Sequence, residues 1–451
     1  MIEKLTELLE QKDYAQLKSE FMEMNPADAA SFIEEMFEER AEEKELIILF
    51  RLMPKDLAAD CFAFLESDTQ KLLISFFTDL ELKEVLEQTF VDDTVDMIEE
   101  MPANVVHRIL RNADPQTRAA INEILKYPSD SAGSIMTIEF VDLRPDMTVD
   151  EAFTRIRRTG VDKETIYTCY VKDENRHLLG LVTVKTMLLS DKDDLISDIM
   201  ETNIISVNTH EDREIVTSMF EKYDFLALPV VDAEYRLVGI VTIDDVIDVI
   251  QEEATEDIEK MAAIVPSDKT YMKTGVFETV KNRIPWLLLL MITSVFTGGI
   301  IGYYESSLAK YMVLSTFIPM LMNTGGNAGG QASVTVIRSL SLGDIEFGDI
   351  LSVIWKEARV GFCCALLLTA ANFLMLIFFY QVTYPVAAVV CLTLIVTVFA
   401  AKIVGCSLPM LAKKLGFDPA VMASPFITTL VDAASLLIYF VIAAEVFGLR
   451  L

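Results

Sequence analysis

The chain has 451 residues, 52% of them hydrophobic, and carries a formal net charge of −31 at pH 7. From Ile284 onward its eight basic and eight acidic residues balance, so the whole imbalance lies before that residue and predicts an acidic soluble half joined to a neutral apolar half. An acidic surface argues against nucleic acid as a partner, because such binding needs basic patches that neutralise phosphate. It suits cations, although acidity that only confers solubility is the plainer alternative.

The first 130 residues are predicted to form a helical, acidic N-terminal domain. The opening segment MIEKLTELLEQKDY is charged and lacks an apolar signal core, so no secretory peptide is expected. Three fragments that begin at Met24, Met53 and Met101 resemble one another, and each has proline near its start, where a helix needs no N–H donor. Repeated short helices of this kind stack into a small superhelix. The six cysteines show no CxxC spacing, which predicts reduced thiols and no zinc site.

A clearer repeat follows over residues 131–250. The run GLVT from Gly180 recurs as GIVT from Gly239, 59 residues later, and the segments before both runs also align. Each copy has the pattern strand, helix, strand, turn, strand, helix, with β-branched residues on both sides of the turn. The pattern predicts two α/β copies, 131–198 and 199–250, that bury their sheets against each other.

The GLVT and GIVTIDD segments resemble those of tandem CBS-domain pairs, which are regulatory modules of channels and enzymes. The resemblance implies that Thr242 and Asp245 hold the ribose of an adenine nucleotide such as ATP, with Phe225 as a further contact. The first copy has Thr186 where the aspartate would stand. Nucleotide binding and a purely structural CBS pair are both left open.

A long helix is predicted next, over about 244–263, within a connecting segment 244–282. Its acidic residues recur at steps of three and four and therefore line one face: Asp245, Asp248, Glu252, Glu256 and Glu259. Like charges at this spacing repel each other. An ordinary solvated face is one interpretation. We favour the other, in which this row approaches a second acidic surface only when divalent cations lie between them, because the helix leads toward the apolar half.

Five segments in the final region, 283–451, are long enough to cross a bilayer, which takes about 20 mostly apolar residues. They are about 284–304, 311–338, 354–380, 383–411 and 419–447. Basic residues are concentrated at alternate ends of these spans: Lys281, Arg283, Arg338, Lys356, Arg359, Lys413 and Lys414. The opposite side has only Lys310 and Arg450. The positive-inside rule therefore puts the N-terminal half in the cytosol and the C-terminus outside.

The fifth span carries a carboxylate near its midpoint, Asp432. A charge at that depth costs about 2.5–3.5 kcal/mol on insertion scales, so the side chain must face water, a cation or a partner. Polar residues lead to it and past it at steps of four, four and three: Ser424, Thr428, Asp432 and Ser435. The stripe predicts a conduction path.

The second span contains the run NTGGNAGGQ, over 323–331. Asn323, Asn327 and Gln331 recur at every fourth residue and line one helical face. Glycines let helices approach closely, so a packing seam is one interpretation. The amides favour the other, a pore wall in which Gly325 and Gly326 bring the backbone near an ion.

Two further charges lie at or within the spans. Asp418 precedes Pro419 at the mouth of the fifth span, where a helix N-cap and a functional carboxylate are equal alternatives. Lys402 lies inside the fourth span, where it reaches the cytosolic interface, pairs with an acid, or repels cations.

Taken together, NTGGNAGGQ, LPMLAKKLGFDPA and SPFITTLVD resemble the MgtE family of magnesium channels, over the whole chain. The resemblance implies a multi-domain membrane protein with an all-α superhelical N domain, an α/β tandem CBS pair, a connecting helix and a five-helix α transmembrane domain. It implies a homodimer in the plasma (inner) membrane of a prokaryote, with a pore walled by the second and fifth spans and Asp432 of each protomer as the selectivity site. Two carboxylates match the charge of Mg²⁺, which sheds its water reluctantly and prefers six oxygens.

The same resemblance implies that cytosolic Mg²⁺ closes the channel by bridging the acidic domains. The implied regulatory ligands are Asp60, Asp92 and Asp96 in the N domain, Glu214 and Asp224 in the CBS pair, and Asp245, Asp248, Glu253, Glu256 and Asp257 in the connecting helix. Mg²⁺ is then both substrate and negative effector. Asp245 is assigned to both the metal and the ribose, and we prefer the metal.

Two other functions remain alternatives. An ion-coupled exchanger of divalent cations needs a second ionisable site within the spans, for which Glu357 and Lys402 are candidates. A membrane scaffold that senses adenine nucleotides fits the CBS pair but leaves Asp432 unexplained. The sequence contains no P-loop with GK[ST] and no HExxH motif, so neither an ATP-driven pump nor an enzyme is expected.

Overall fold

The computed structural model describes residues 2–38, 43–267, 271, 274–304, 311–422 and 424–448. The chain divides into two units, Met1–Ile250 and Gln251–Leu451, which are described separately. The helices of the first unit are α1 (Ile2–Glu10), α2 (Tyr14–Phe21), α3 (Pro26–Glu38), α4 (Glu43–Leu52), α5 (Lys55–Ala63), α6 (Ser67–Phe76), α7 (Asp79–Leu86), α8 (Val91–Glu99), α9 (Ala103–Asn112), α10 (Pro115–Ile124), α11 (Val149–Thr159), α12 (Val184–Leu189), α13 (Ile196–Ile199) and α14 (Arg213–Tyr223). Helix α15 (Ile243–Met261) begins in the first unit and ends in the second.

The three similar fragments near the N-terminus each begin a helix. Pro26 is the first residue of α3, and Pro54 and Pro102 occupy the N-cap positions of α5 and α9. Proline is well suited there because its fixed φ starts the helix without wasting a donor. Short helices built in this way bury one apolar side each in a common core, so the predicted all-α N-terminal part is confirmed.

The tandem repeat folds into two equivalent three-stranded sheets. Their strands are β1 (Phe140–Leu143), β2 (Thr165–Lys172), β3 (Leu178–Thr183), β4 (Val207–Asn208), β5 (Ala227–Val231) and β6 (Leu237–Thr242). In each sheet the first pair is parallel and the second antiparallel. The register repeats with the sequence, because Val171 pairs with Gly180 and Val230 pairs with Gly239. The predicted α/β pair is therefore confirmed.

The glycine of each GhVT run, where h is an aliphatic residue, packs against a methionine that precedes the first strand of the other copy. A Cβ on Gly180 would lie 2.6 Å from the Met200 Sδ, and a Cβ on Gly239 would lie 2.7 Å from the Met136 Sδ. The same segments add backbone bonds, since the Thr137 N–H donates to the Ile240 carbonyl at 2.8 Å. The repeated glycine is thus explained by packing between the copies.

The second unit is helical in its described part. After the end of α15 come α16 (Val276–Tyr303), α17 (Ile318–Ser341), α18 (Ile350–Phe378), α19 (Tyr384–Lys414) and α20 (Ser424–Phe447). Short 3₁₀ turns precede three of them: Met312–Phe317, Phe347–Asp349 and Pro419–Met422. Their apolar core joins α17, α18, α19 and α20.

Among the described residues, four segments are long and apolar enough to cross a membrane: Val276–Tyr303, Phe347–Phe378, Tyr384–Lys414 and Pro419–Phe447. Helix α17 has 24 residues, roughly 36 Å of helix, which is also a spanning length. Its glycines and amides leave it outside that group. The helical membrane class is confirmed, whereas the count of five spans stays a prediction.

Candidate functional site

An acidic cluster forms in the first unit where the start of α8 meets the start of α15 and the leading ends of β1 and β2. Its members are Asp92 and Asp93 on α8, Glu139 before β1, Glu164 before β2, and Asp244, Asp245 and Asp248 on α15. Two backbone contacts hold the elements in place: the Val91 N–H donates to the Glu139 Oε2 at 3.0 Å, and the Glu164 N–H donates to the Glu139 carbonyl at 2.9 Å.

Asp92 lies at the centre of this acidic cluster. It is only 5% exposed, and burial, together with the charges of Asp245 and Asp93, raises the pKa of its carboxyl well above the ordinary value. Burial likewise raises the pKa of Asp245, although a 2.7 Å hydrogen bond from the Thr242 hydroxyl favours its charged form. A carboxylate whose pKa is raised by neighbouring carboxylates holds a proton more readily than an isolated one.

The acidic cluster extends to two groups that titrate near neutral pH. Burial, with the charges of Asp244 and Glu139, raises the pKa of Asp93 to about 6. Burial, with the charges of Asp244 and Asp93, raises the pKa of Glu164 to about 7. The Glu164 Oε2 is buried and has no hydrogen-bond partner within the described ranges. Such an oxygen fits a site that a cation or a proton completes.

No group of three or more His, Cys, Asp or Glu side chains in the described part of the chain is arranged to hold a metal ion directly. Asp92, Asp93, Glu164 and Asp245 nevertheless concentrate negative charge between α8 and α15.

Two other predicted residues lie at the edge of the acidic cluster. The charge of Asp60 contributes to the raised pKa of Asp93, and the charge of Asp96 contributes to that of Asp245. Sequence reasoning missed Asp93, Glu139, Glu164 and Asp244. A signal was present for two of them, because a glutamate directly precedes each of two parallel strands, and parallel strands begin at the same sheet edge.

The predicted pair Glu214 and Asp224 lies at opposite ends of α14. Glu214 is in its first turn, and Asp224 is the C-cap residue in left-handed conformation at φ 55°, with its N–H bonded to the Phe220 carbonyl. The 11-residue helix separates them by roughly 15 Å along its axis. The structure therefore does not bring these two carboxylates together within one chain.

The last turns of α15 contact the membrane helices in the second unit. The Lys260 Nζ lies 2.5 Å from the Glu256 Oε1 and 2.7 Å from the Asp418 Oδ2. The Ser341 hydroxyl donates to the Asp257 Oδ2 at 3.3 Å. Burial, followed by the charge of Asp418, raises the pKa of Asp257. Glu256 and Asp257 therefore share a small charged contact at the ends of α17 and α20, which we call the lysine latch (Glu256, Asp257, Lys260, Asp418).

Asp418 makes a capping hydrogen bond and an ion pair, and a functional role for its carboxylate stays a prediction. Its Oδ1 accepts the Ala420 N–H at 2.8 Å and so caps the 3₁₀ turn Pro419–Met422, while its Oδ2 binds Lys260. Met261 packs beside this contact against Ile337 and Ala420. Glu253 is half-buried further back on α15.

The predicted nucleotide contacts lie at the start of α15 and beside α14. The Thr242 side chain is buried and its hydroxyl is bonded to Asp245. Phe225 is half-buried and stacks on Tyr223, with ring centroids 5.4 Å apart. In the first copy, Thr183 and Thr186 form the equivalent hydroxyl pair at 3.0 Å. The two copies thus differ in charge at this position.

Helix α17 is continuous through the glycine-rich run and has two different faces. Asn323, Asn327 and Gln331 are exposed on one face, and the Asn327 Nδ2 donates to the Asn323 Oδ1 at 3.4 Å. We call these three residues the amide stripe. Their side chains are available to water, an ion or a second copy of the chain.

The glycines lie on the opposite, buried face of α17. A Cβ on Gly325 would lie 2.6 Å from the Thr397 Cγ2 and 2.9 Å from the Ser435 Oγ, and a Cβ on Gly326 would lie 2.8 Å from the Thr428 Cγ2. Gly325 and Gly326 therefore occupy a packing seam against α19 and α20, and the amide stripe lies beside them.

Helices α17 and α20 are antiparallel, because Gly325 contacts Ser435 whereas Gly326 contacts Thr428 earlier on α20. Asp432, one turn after Thr428, lies within the stretch of α20 that packs on Gly325 and Gly326. It is half-buried, and its Oδ1 is buried without a hydrogen-bond partner in the described part of the chain. The side chain of Ser424 lies outside the described residues.

Family models match three parts of the chain. "MgtE: Divalent cation transporter" matches residues 318–442, the MgtE intracellular N domain matches 24–130, and the CBS domain matches 132–192 and 196–252. The solved structure titled as the cytosolic domain of the Mg²⁺ channel MgtE in complex with ATP is 34% identical, with a TM-score of 0.52, and covers 55% of this chain and 100% of that chain.

Curated relatives match nearly the whole length. The magnesium transporter MgtE of Thermus thermophilus is 36% identical over 444 residues, covering 97% of this chain and 97% of that protein. The magnesium transporter MgtE of Bacillus subtilis is 32% identical, covering 93% and 92%. These relatives are transporters and not enzymes. With the acidic cluster, the amide stripe and a central aspartate on one framework, the chain belongs to the MgtE family of magnesium transporters.

Proposed function

We propose that two copies of this chain form a Mg²⁺-selective channel that admits Mg²⁺ through the plasma membrane of a prokaryote. The observation that carries the proposal is Asp432, a half-buried carboxylate whose Oδ1 has no hydrogen-bond partner among the described residues. A carboxylate inside a membrane helix needs water, a cation or a partner, and such residues mark ion pathways. Relatives named as magnesium transporters make Mg²⁺ the ion.

The amide stripe supports the homodimer. Three amide side chains exposed on one face of α17 are unfavourable against lipid, because hydrocarbon offers them no hydrogen bonds. A second copy that faces the stripe across a water-filled path removes that cost. It also places two Asp432 carboxylates near one axis, and their charge matches that of one divalent ion held with its water.

Helix α17 would be the second of five spans in chain order, in addition to the four apolar segments. Five spans place the two ends of the membrane half on opposite sides. The basic residues at alternate span ends then put the acidic first unit in the cytosol and the C-terminus outside.

Cytosolic Mg²⁺ is the proposed closing signal, and the acidic cluster supports it. Its carboxylates raise one another's pKa, so their close arrangement is costly without a counter-charge. Mg²⁺ that binds only the close arrangement shifts the population toward it. The remaining acids of the proposed regulatory set are Asp60, Asp96, Glu214, Asp224, Glu253, Glu256 and Asp257.

ATP is proposed as a second cytosolic ligand, at the second CBS copy. The support is the buried Thr242 beside Asp245, the half-buried Phe225, and a solved relative described as a complex with ATP. Because Asp245 also belongs to the acidic cluster, ATP and Mg²⁺ would influence each other's binding there.

The pore assignment is tested in liposomes that contain the full-length protein under voltage clamp. Asp432→Ala is expected to abolish Mg²⁺ current while leaving the dimer and its thermal unfolding intact. Glu445→Gln is the matched control, because it removes an exposed carboxylate from the same helix and should keep the current. Wild-type current in Asp432→Ala, or Mg²⁺ movement only in strict exchange for Na⁺ or H⁺, would refute the channel.

A further inference from the structure

One face of helix α18 is turned away from the surface and is made mostly of small and polar side chains. Its residues recur at steps of three or four: Gly361, Ala365, Asn372 and Leu376 are buried, and Glu357 and Thr369 are half-buried. Small residues let two helices approach closely within a membrane, and polar residues there avoid lipid. This face therefore packs against protein, and Gly361 identifies α19 as its neighbour through contacts with Lys402 and Phe399.

Lys402 pairs with Glu357 across this contact. The Lys402 residue is 6% exposed, and its Nζ lies 3.8 Å from the Glu357 Oε2. Lys402 lies twelve residues before the end of α19, roughly 18 Å along the helix axis. The Glu357 Oε2 has no hydrogen-bond partner among the described residues, so the charge of Lys402 is what balances the carboxylate within that part of the chain.

Glycine makes room for the lysine stem. A Cβ on Gly361 would lie 3.4 Å from both the Cβ and the Cγ of Lys402. The methylenes of the lysine thus lie against the α18 backbone one turn from Glu357. The arrangement buries two opposite charges as a neutral pair, which a membrane tolerates far better than either charge alone.

The same turn of α19 contacts α17 on its other side. A Cβ on Gly405 would collide with the carbonyl oxygen of Gly329, and the Ala401 carbonyl oxygen lies 3.2 Å from where a Cβ of Gly329 would be. Gly329 stands between Asn327 and Gln331 in sequence, and those amides point to the opposite face. The position of the amide stripe therefore depends on where α19 is held.

We propose that Glu357 and Lys402 are positioning residues for ion permeation. Their charge pair holds α18 against α19, and α19 in turn holds α17, so that the amide stripe keeps its distance from Asp432. Neither charge carries an ion or a proton during transport. The inference rests on the proposed pore and removes the two residues that an exchanger would need as a second ionisable site.

The test is a set of variants in full-length protein: Lys402→Met, Glu357→Met, the double variant Glu357→Met/Lys402→Met, and the exchange Glu357→Lys/Lys402→Glu. Lys414→Met, at the exposed cytosolic end of the same helix, is the matched control. Three quantities are measured in each: Mg²⁺ flux per folded dimer in liposomes, the ratio of Mg²⁺ to Ca²⁺ flux, and the thermal midpoint in detergent.

Each single variant leaves one buried charge unpaired, so we expect flux to fall by about tenfold or more and the thermal midpoint to drop. The ratio of Mg²⁺ to Ca²⁺ flux is expected to fall as well, because a displaced α17 changes the ion path. A loss of folded protein alone would leave this ratio unchanged. The double variant has no unpaired charge, and its flux and flux ratio return to within about threefold of wild type. The control behaves as wild type.

A folded double variant without flux would overturn the inference, since the charges themselves would then take part in transport. Unchanged flux ratios in folded single variants would also overturn it. If the single variants do not fold, the flux and the flux ratio of the double and exchanged variants test the inference by themselves. Failure of the proposed channel would be recognised separately, because the wild type would then move Mg²⁺ only in exchange for another ion. In that case the thermal midpoints of the single and double variants would still measure the interaction between Glu357 and Lys402.

Discussion

Asp245 lies between the Thr242 hydroxyl and a group of acidic side chains, and both surroundings affect its charge. It accepts a hydrogen bond from Thr242, and burial among acidic groups raises its pKa. Sequence comparison with nucleotide-binding CBS pairs pointed to Asp245 as a ribose ligand, and the charge row on α15 pointed to it as a metal ligand. The charge of Asp245 also raises the pKa of Asp92, from a distant part of the chain, and this is why we prefer the metal in the proposal.

Thr242→Val tests the ATP proposal at the residue scale. The change keeps the shape of the side chain and removes one hydroxyl, so ATP affinity of the full-length protein is expected to fall by about tenfold. Thr183→Val removes the equivalent hydroxyl in the first copy and serves as the control. Binding is followed by calorimetry. Equal affinities in both variants would contradict the assignment of ATP to the second copy.

At the scale of elements, α17 places the glycines of its glycine-rich run in a packing seam, and the pore wall stays a prediction for its amides. The helix stays unbroken because glycine is tolerated where neighbouring helices pack closely against it. The spacing of four residues predicted that the amides share one face of α17. It could not predict which face packs against α19 and α20, because that depends on the surfaces of those two helices. Likewise, the acidic row on α15 is divided by its surroundings, with Asp245 in the acidic cluster and Glu256 in the lysine latch.

Lys260→Met tests the lysine latch. Burial alone would lower the pKa of Lys260, but hydrogen bonds to Asp418 and Glu256 outweigh it and raise the pKa, so the lysine stays charged through neutral pH. Its loss leaves three carboxylates near one another. If the proposed channel closes as inferred above, we expect the Mg²⁺ concentration that half-closes it to rise by about threefold or more, since a mobile cation must replace the ammonium.

Lys126→Met is the control for Lys260→Met, because Lys126 forms an exposed ion pair with Glu123 in the N-terminal helices. The readout is Mg²⁺ flux as a function of Mg²⁺ on the cytosolic side. An unchanged midpoint in Lys260→Met would show that the latch has no part in closing.

At the scale of the whole molecule, the acidic cluster links stability to pH and to Mg²⁺. The pKa values of Asp93 and Glu164 are raised in the folded state to about 6 and about 7. Carboxyl groups with raised pKa stabilise the folded state while they are protonated, at low pH, and this stabilisation is lost as the pH rises through those values. Under the proposed function, we expect bound Mg²⁺ to replace the lost protons.

Thermal unfolding of full-length protein in detergent measures this linkage. In EDTA, the thermal midpoint of the soluble half is expected to fall by roughly 3–6 °C between pH 5.5 and pH 8. Excess Mg²⁺ at pH 8 restores it, and Glu164→Gln flattens the pH dependence. A midpoint that rises with pH in EDTA would contradict the raised pKa values.

The chain alone determined the fold class, the repeat and the family resemblance, because helical periodicity, strand patterns and hydropathy are properties of neighbouring residues. It also pointed to Asp432 and the amide stripe, since a polar residue in an apolar helix is conspicuous. Only the tertiary structure decided the partners: Glu139 and Glu164 beside Asp92, Lys260 with Asp418, and Lys402 with Glu357. The physical reason is that the energy of a buried charge depends on the charges around it, and these neighbouring groups come from parts of the chain that only folding brings together.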